Sequence, residues 1–218
     1  MVARFVLLAL ACIAVASPAR AQSPHTHAHT FSDAHKWSKV FDDPQRDAWQ
    51  KPHEVIEALA LSRDAIVADV GAGTGYFAVR LARMVPNGRV YALDTEPDMV
   101  RHLATRAREA GVRNIVAVTA TPDDACIPAK ADLILFVDVY HHIEKRERYF
   151  ENLTKSLKPA GRVAIIDFRM DSPHGPPRNA RIEPDRVKAE LQAAGYELAR
   201  EHAFLPYQYF LEFVPRKR

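Results

Sequence analysis

A glycine-rich turn with an acid just before it follows the first predicted buried strand. The turn, residues 71–75, reads Gly-Ala-Gly-Thr-Gly, and Asp69 precedes its first glycine by two residues. Glycines here allow a sharp bend and let a ligand approach the backbone without meeting a Cβ atom. A carboxylate beside the turn repels a pyrophosphate but attracts a ligand that carries an ammonium and a sulfonium group. The turn therefore predicts a cationic nucleoside ligand.

Two other glycine-rich turns fit these residues less well. A dinucleotide-binding turn would place its third glycine at position 76, where this chain has Tyr76. A phosphate-binding P-loop would require Gly-Lys-Ser/Thr, which the turn lacks. An NAD-dependent oxidoreductase is therefore a disfavoured alternative.

A second acid, Asp94, ends the next predicted strand, 23 residues after Gly71. A carboxylate at this place can accept hydrogen bonds from two ribose hydroxyls. The structural alternative is that Asp94 caps the helix that starts near Glu96 or Pro97. The position is compatible with both interpretations.

His141 and His142 follow the predicted central strand, residues 133–137. They are expected at the carboxyl end of the sheet, where open α/β folds bind ligands. One of them is a candidate to deprotonate or orient an acceptor, and the alternative is that both only cap and pack the next turn. Weaker candidates for lining the same pocket are Tyr140, Tyr207, Gln208 and Tyr209.

Asp138 and Asp167 should end two adjacent strands on the ligand side of the sheet. Carboxylates so placed can hold Mg²⁺. A third oxygen ligand is expected directly after the second acid, but Phe168 stands there. We therefore predict no metal site.

The elements that position these residues alternate between strand and helix patterns, which predicts an α/β fold with a doubly wound, mostly parallel sheet. Strands are predicted at residues 66–70, 89–94, 115–119, 133–137, 162–168, 196–203 and 207–214. Helices are predicted at residues 52–60, 77–85, 97–110, 146–157 and 184–194. Leu205-Pro206 separates the last two strands, and with so little chain between them they should form a hairpin, with the last strand antiparallel to the rest.

Residues 67–82, 90–100 and 131–143 resemble successive motifs of the class I S-adenosylmethionine (SAM)-dependent methyltransferases. The resemblance is closest to the small-molecule group with a His-His pair after the fourth strand. The segment Leu-Lys-Pro-Ala-Gly at residues 157–161 also resembles that group, with Ala160 as a departure from the usual glycine. The resemblance implies a seven-stranded Rossmann-like fold over residues 50–218 and SAM as the cofactor.

The resemblance also implies a set of cofactor-binding residues: Asp69, Gly71, Ala72, Gly73, Gly75, Asp94, Thr95, Asp123, Asp124 and Asp138. In this set Asp69 and the glycines would hold the methionine moiety, and Asp94 would hold the ribose. Either Asp123 or Asp124 would meet the adenine amino group, and Asp138 would lie at the cofactor edge. The loop that carries Asp123 and Asp124 is shorter than expected, which leaves the choice between them open.

The predicted function is SAM-dependent methyl transfer to a small-molecule acceptor, with His141 and His142 as candidate catalytic residues. Methyl transfer from a sulfonium is an in-line displacement that depends mainly on alignment and desolvation. The alternative is an exported SAM- or nucleoside-binding protein that transfers no methyl group. An arsenic acceptor is disfavoured because Cys126 alone cannot supply several thiolates.

The N-terminal 49 residues divide into three segments. Residues 1–21 have the charged start, the apolar run and the Ala-Arg-Ala end of a secretory signal, which predicts a periplasmic or secreted protein. An uncleaved segment would leave a cytoplasmic or membrane-anchored form. The histidines near residues 25–35 indicate a mobile tail or a metal-scavenging tract. The aromatic residues between Trp37 and Trp49 should pack on the domain, as a structural flap or as a lid over the cofactor pocket.

The bulk composition fits one soluble α/β domain. The chain has 218 residues, of which 48% are hydrophobic and 26% charged. Its net charge of +3 falls to +1 without the two arginines of residues 1–21, and no basic run is interleaved with aromatics. Nucleic acid is therefore not expected as a partner, nor is a membrane span after signal cleavage. With one cysteine left, no internal disulfide is expected.

Overall fold

A computed structural model describes residues 33–217 and contains one seven-stranded sheet. The strands are β1 (Ile66–Val70), β2 (Arg89–Asp94), β3 (Ile115–Thr119), β4 (Ala131–Val137), β5 (Leu157–Phe168), β6 (Tyr196–His202) and β7 (Gln208–Pro215). Their order is β3-β2-β1-β4-β5-β7-β6. The first five strands pair in parallel, and β7 is antiparallel to both of its neighbours. The doubly wound, Rossmann-like fold with an antiparallel last strand is confirmed.

Helices cover both faces of the sheet. They are α1 (Ala34–Phe41), α2 (Arg46–Gln50), α3 (Pro52–Ala58), α4 (Tyr76–Met84), α5 (Pro97–Glu109), α6 (Arg146–Leu153) and α7 (Pro184–Ala193). One buried apolar cluster joins the sheet to α3, α4 and α5, and includes Ile56, Leu81 and Leu103. A second joins the opposite face to α6 and α7, and includes Phe150 and Leu191. The carboxyl ends of β1, β2, β4 and β5 therefore open on one edge between two helical layers.

The boundary between α6 and β5 differs from the sequence prediction. The helix predicted over residues 146–157 ends at Leu153, and β5 begins at Leu157 rather than at Arg162. Leu157 is buried and pairs with Ala131, while the next pair along, Leu133 with Arg162, is displaced by a bulge. Strand pairing and burial of Leu157 therefore override the local Pro-Ala-Gly turn signal, which the strand accommodates as a bulge.

Part of the N-terminal prediction falls outside the described part of the chain. Both the proposed signal, residues 1–21, and most of the histidine tract, residues 22–32, lie there. Within residues 33–217, no helix is both long enough and apolar enough to cross a membrane. Export stays a prediction.

Candidate functional site

The glycine-rich turn lies between β1 and α4 and has a backbone that only glycine adopts readily at three positions. Gly71, Gly73 and Gly75 have φ angles of +69°, +53° and +88°. The backbone N–H of Gly71 donates to the carbonyl oxygen of Leu93 (2.7 Å), which ties the turn to the end of β2. A Cβ atom on Gly71 would lie 2.4 Å from Val139 Cγ2. The turn is therefore a close-packed backbone cradle at the carboxyl edge of the sheet.

Asp94 joins the end of β2 to this turn. Its Oδ2 accepts the backbone N–H of Gly73 (2.8 Å), and its Oδ1 accepts that of Glu96 (3.0 Å). Burial raises the pKa of Asp94, although these two N–H groups oppose the shift. The bond to Glu96 reaches the residue just before α5, and the bond to Gly73 places the same carboxylate at the turn. Ala72 lies half-buried in the turn and Thr95 lies exposed beside Asp94.

Asp69 is buried beneath the turn. Its side chain is 3% exposed, and its Oδ2 has no hydrogen-bond partner among the described residues. Burial, followed by the nearby charge of Asp94, raises the pKa of Asp69 to about 7, while Arg46 acts in the opposite direction. The turn therefore has a buried acid, Asp69, and a half-buried acid, Asp94, beside it, and one carboxylate oxygen of Asp69 lacks a partner among the described residues.

The two acids predicted at the adenine lie on an exposed loop after β3. Asp124 accepts the backbone N–H of Cys126 (2.7 Å) and forms an isolated bridge with Thr121. Asp123 lines a shallow cavity with residues of α6 and the loop before it. In the part of the chain that the structure describes, no hydrogen bond joins either acid to the glycine turn. The structure brings Asp69, Asp94 and the glycines together, and the adenine contact stays a prediction.

Asp138 follows β4 and is held by three side chains from distant parts of the sequence. Its φ angle is +60°, and its backbone N–H donates to Ile166 O (2.9 Å). Its carboxylate accepts hydrogen bonds from Arg46 (3.0 Å), Gln50 (3.0 Å) and the amide of Gln208. Burial raises the pKa of Asp138 to about 6, because it outweighs the attraction of Arg46. The sequence gives no short-range signal for these three partners.

Residues 33–51, here called the N-terminal segment, lie against the glycine turn. The ring of Phe41 would lie 3.5 Å from a Cβ atom on Gly73. Asp42 accepts the hydroxyl of Thr74 (2.9 Å), and Asp47 pairs with Arg80 (3.2 Å). The N-terminal segment therefore packs on the domain, and its contacts lie at the glycine turn.

The two adjacent histidines have different environments. The Nδ1 atom of His141 lies 2.9 Å from Asp167, and both side chains are almost fully buried, at 6% and 3% exposure. His142 is exposed, with its ring centroid 4.1 Å from that of His141. Burial lowers the pKa of His141, but the charge and hydrogen bond of Asp167 outweigh it, so the net shift is upward. His141 and Asp167 thus form a buried dyad.

The weaker candidates for the pocket divide between the site and the core. Gln208 reaches Asp138, as described above. Tyr140 is fully buried, and its hydroxyl donates to Glu190 (2.5 Å), so it belongs to the core beside α7 rather than to the pocket. Tyr209 is also buried, whereas Tyr207 is partly exposed.

Asp138 and Asp167 both accept hydrogen bonds from protein donors. Asp138 accepts from the three side chains named above, and Asp167 accepts from His141 and from the backbone N–H of Phe168 (2.8 Å). Within residues 33–217, no group of three or more His, Cys, Asp or Glu side chains has a metal-binding arrangement.

Comparison with known proteins gives the same assignment as the fold and the turn. Residues 68–163 match a family model described as a methyltransferase domain. The chain is 32% identical over 103 residues to a protein-L-isoaspartate O-methyltransferase of Aeropyrum pernix, covering 45% of this chain and 37% of that one. It is 30% identical over 115 residues to an uncharacterized methyltransferase of Mycobacterium tuberculosis, covering 52% of this chain and 56% of that one. The chain thus spans 37% to 56% of the length of these curated relatives.

Among solved structures, a SAM-dependent methyltransferase from Aquifex aeolicus has a TM-score of 0.77 and 27% identity, over 83% of this chain and 97% of that one. The fold is also that of a magnesium protoporphyrin IX methyltransferase from Synechocystis with bound SAM. The TM-score is 0.61 and the identity 19%, over 84% of this chain and 90% of that one. Residues 68–163 therefore resemble a methyltransferase domain, and the chain has the Rossmann-like fold found in SAM-dependent methyltransferases.

Proposed function

We propose that the protein transfers a methyl group from SAM to a small-molecule acceptor. The observation that carries this proposal is the cradle of positive-φ glycines with the buried Asp69 and the half-buried Asp94 beside it. An ammonium and a sulfonium complement these carboxylates. The positive φ angles of the three glycines form the sharp bend that holds the backbone of the turn beside them. The residues present therefore fit SAM, and they disfavour a pyrophosphate.

In this proposal the residues of the turn bind and orient the cofactor. When bound, SAM supplies a methyl group on a positively charged sulfur that is a good leaving group. Asp69, with its unpartnered Oδ2, and the backbone of Gly71 and Gly73 hold the methionine part. Asp94 holds the ribose. Correct alignment and a dry site account for most of the rate increase in such a displacement.

We propose that the N-terminal segment acts as a lid over this cradle. Its contacts run along the turn, from Phe41 beside Gly73 to Arg46 on Asp138. A cover at this place excludes water from the reacting centre, which strengthens each electrostatic contact inside it. Arg46 in this segment also places a guanidinium beside Asp138, one of the acids of the site.

His141 is the base in this proposal, and His142 is not. Because Asp167 holds Nδ1, the proton of a neutral His141 ring stays on that nitrogen and Nε2 is the atom that can accept a proton. Asp167 is then a positioning residue that also stabilises the charged ring. The ring of His142 is exposed to solvent, whereas the ring of His141 is almost fully buried beside Asp167.

Calorimetric titration of the purified protein with SAM and with NAD tests the cofactor half of the proposal. We expect SAM to bind and NAD not to bind. Incubation with labelled SAM and an acceptor mixture then tests turnover, since transfer releases S-adenosylhomocysteine. Tight binding without that product would favour the binding-protein alternative. Binding of NAD alone would exclude the proposed function.

Two matched variants test the base. We expect His141→Ala and Asp167→Asn to lower kcat by about 100-fold, within the usual range for loss of a general base, with little change in SAM affinity. The control is His142→Ala, which should keep the kcat of the wild type. Equal losses from both histidine variants would show that the ring pair acts as a structural unit.

Export is a separate part of the proposal and rests only on the pattern of residues 1–21. Cell fractionation with N-terminal sequencing is the test. A periplasmic or secreted protein that begins at Gln22 is the expected result, and a cytoplasmic protein that retains Met1 would exclude it.

A further inference from the structure

Four aromatic side chains from four segments meet beside the Asp138 and His141–Asp167 groups. They are Trp49 at the end of α2, Phe168 at the end of β5, His174 in the loop after β5, and Tyr207 just before β7. The rings of Trp49 and His174 are stacked, with centroids 4.6 Å apart and an interplanar angle of 11°. Phe168 lies 6.0 Å from Trp49, and Tyr207 lies 5.2 Å from His174. We call these four residues the aromatic wall.

Three members of the wall are sequence neighbours of residues at the reacting groups, and the charge of Arg181, which holds the loop of His174, acts on the pKa of His141. Trp49 precedes Gln50, and Tyr207 precedes Gln208, and both of these amides donate to Asp138. Phe168 follows Asp167, the partner of His141. Three of the four rings reach the surface: Trp49 and Tyr207 are partly exposed, and His174 is exposed.

The loop that carries His174 is held in one conformation. Gly175 has a φ angle of +86°, and a Cβ atom there would lie 2.5 Å from the ring of Phe168. The guanidinium of Arg181 donates to five carbonyl oxygens of this loop, those of Arg169, Met170, Ser172, His174 and Pro176. His174 is therefore presented by a rigid loop, which suits a binding surface because little ordering is left to occur on binding.

We propose that the aromatic wall binds the methyl acceptor, and that the acceptor is a planar aromatic compound with a phenolic hydroxyl. This inference rests on the proposed function. Partly exposed rings held at fixed angles provide stacking surface for another ring.

The charged groups beside the wall favour a phenol over a carboxylate acceptor. Arg46 pairs with Asp138, and Arg181 is occupied by loop carbonyls, so these guanidiniums already have partners. A carboxylic acid is also ionised at neutral pH and needs no base, whereas a phenol, with a pKa near 10, benefits from one. The buried His141–Asp167 dyad supplies that base.

The step balances without any further reagent. The phenolic O–H bond breaks, and its proton goes to Nε2 of His141. The oxygen lone pair forms the new bond to the methyl carbon, while the sulfur–carbon bond breaks and its electron pair stays on sulfur. The products are an aryl methyl ether, neutral S-adenosylhomocysteine and a protonated His141, which later releases the proton to solvent.

A panel of acceptors separates this inference from the proposed function. The purified protein is given SAM and either catechol, naphthol, trans-aconitate or ethanolamine, and S-adenosylhomocysteine is measured. We expect the two phenols to react at least about tenfold faster than the aliphatic acid and the amino alcohol. If the protein binds SAM but turns over neither phenol, the inference is overturned and the cofactor assignment stays intact. Turnover of only trans-aconitate or ethanolamine would have the same meaning. Failure to bind SAM would instead remove the proposed function.

Variants of the wall give an independent readout. We expect Trp49→Ala and His174→Ala to raise the KM for the phenol about tenfold, the change that corresponds to a stacking contribution of about 1.4 kcal/mol, with SAM affinity within twofold of the wild type. Trp49→Phe should recover most of the loss because it restores a ring. Leu198→Ala, an exposed substitution on β6, is the matched control and should leave both values unchanged.

Tryptophan fluorescence tests binding without turnover. The chain has only two tryptophans, so the Trp37→Phe variant leaves Trp49 as the sole reporter. We expect saturable quenching when naphthol is added, and loss of that saturation when His174 is also replaced by alanine. An unchanged Trp49 signal across the titration would contradict the inference.

Discussion

Protonation of Asp69 should control cofactor affinity in mildly acidic solution. Its carboxylate lies buried at the glycine turn with one oxygen unpartnered, and its pKa is raised to about 7. In the ionised form it attracts the ammonium and sulfonium groups of SAM, and in the neutral form it does not. Affinity is therefore expected to rise as the pH increases through the pKa of Asp69.

The size of the effect follows from the fraction of ionised Asp69. If only the ionised form binds, the apparent Kd scales as one plus the ratio of protonated to ionised carboxylate. With a pKa of about 7, this factor is roughly 30 at pH 5.5 and about 2 at pH 7. SAM should therefore bind about 15-fold more weakly at pH 5.5, which corresponds to about 1.6 kcal/mol. Above pH 7 the amino group of the ligand also begins to titrate.

Calorimetric titration with SAM at five pH values between 5.5 and 7 measures this slope directly. Asp69→Asn should bind weakly at every pH and flatten most of the slope. Asp185→Asn, which removes an exposed acid on α7, is the matched control and should keep the wild-type slope. A wild-type Kd that stays constant over this range, or an Asp69→Asn slope equal to that of the wild type, would refute the reasoning.

Three further substitutions test the turn, the ribose contact and the buried ion pair. Gly71→Ala should lower the free energy of unfolding in urea by about 2 kcal/mol, because φ is +69° and the new Cβ would lie 2.4 Å from Val139 Cγ2. Asp94→Ala should raise the Kd for SAM at least about tenfold in calorimetry, through loss of hydrogen bonds to a charged acceptor. Arg46→Ala should cost about 3 kcal/mol in urea at pH 7.5, because it strands the largely buried carboxylate of Asp138.

The Arg46 prediction has a definite pH dependence. The pKa of Asp138 is about 6 even with Arg46 in place, and it rises further when that cation is removed. The variant loses stability relative to the wild type only above the folded-state pKa of Asp138 in the wild type, about 6. The loss in unfolding free energy caused by Arg46→Ala should therefore shrink as the pH falls from 7 towards 4. Arg46→Lys is the control that keeps the charge. A deficit that does not change with pH would mean that lost packing, and not charge, explains the effect. For Asp94, an unchanged affinity would remove the ribose assignment.

The fold was predictable because its determinants are local. Each parallel strand is a short apolar run, each helix has its own apolar face, and a short connection, residues 203–207, leaves the last two strands no choice but to form a hairpin. The prediction was wrong at the start of β5, where a Pro-Ala-Gly signal suggested a turn. The burial of Leu157 and its pairing with Ala131 decide that boundary, and neither can be read from neighbouring residues.

The site was predictable only in part, for the same physical reason. The glycines, Asp69 and Asp94 are close in sequence to the strands that place them. The hydrogen bonds to Asp138 instead join residues 70 to 92 positions apart, from opposite ends of the domain. The sequence suggested only a metal-ligand role for Asp167, because no neighbouring residue in the sequence indicates its hydrogen bond with His141.

The left-handed backbone of Asp138 limits how this centre can change. At a φ angle of +60° most side chains crowd their own main chain, and asparagine, aspartate and glycine are the residues that tolerate it best. Laboratory evolution can therefore neutralise this position by Asp138→Asn or Asp138→Gly, but it cannot easily introduce a bulky or branched group there. A library at Asp138 should therefore yield folded variants mainly for asparagine and glycine.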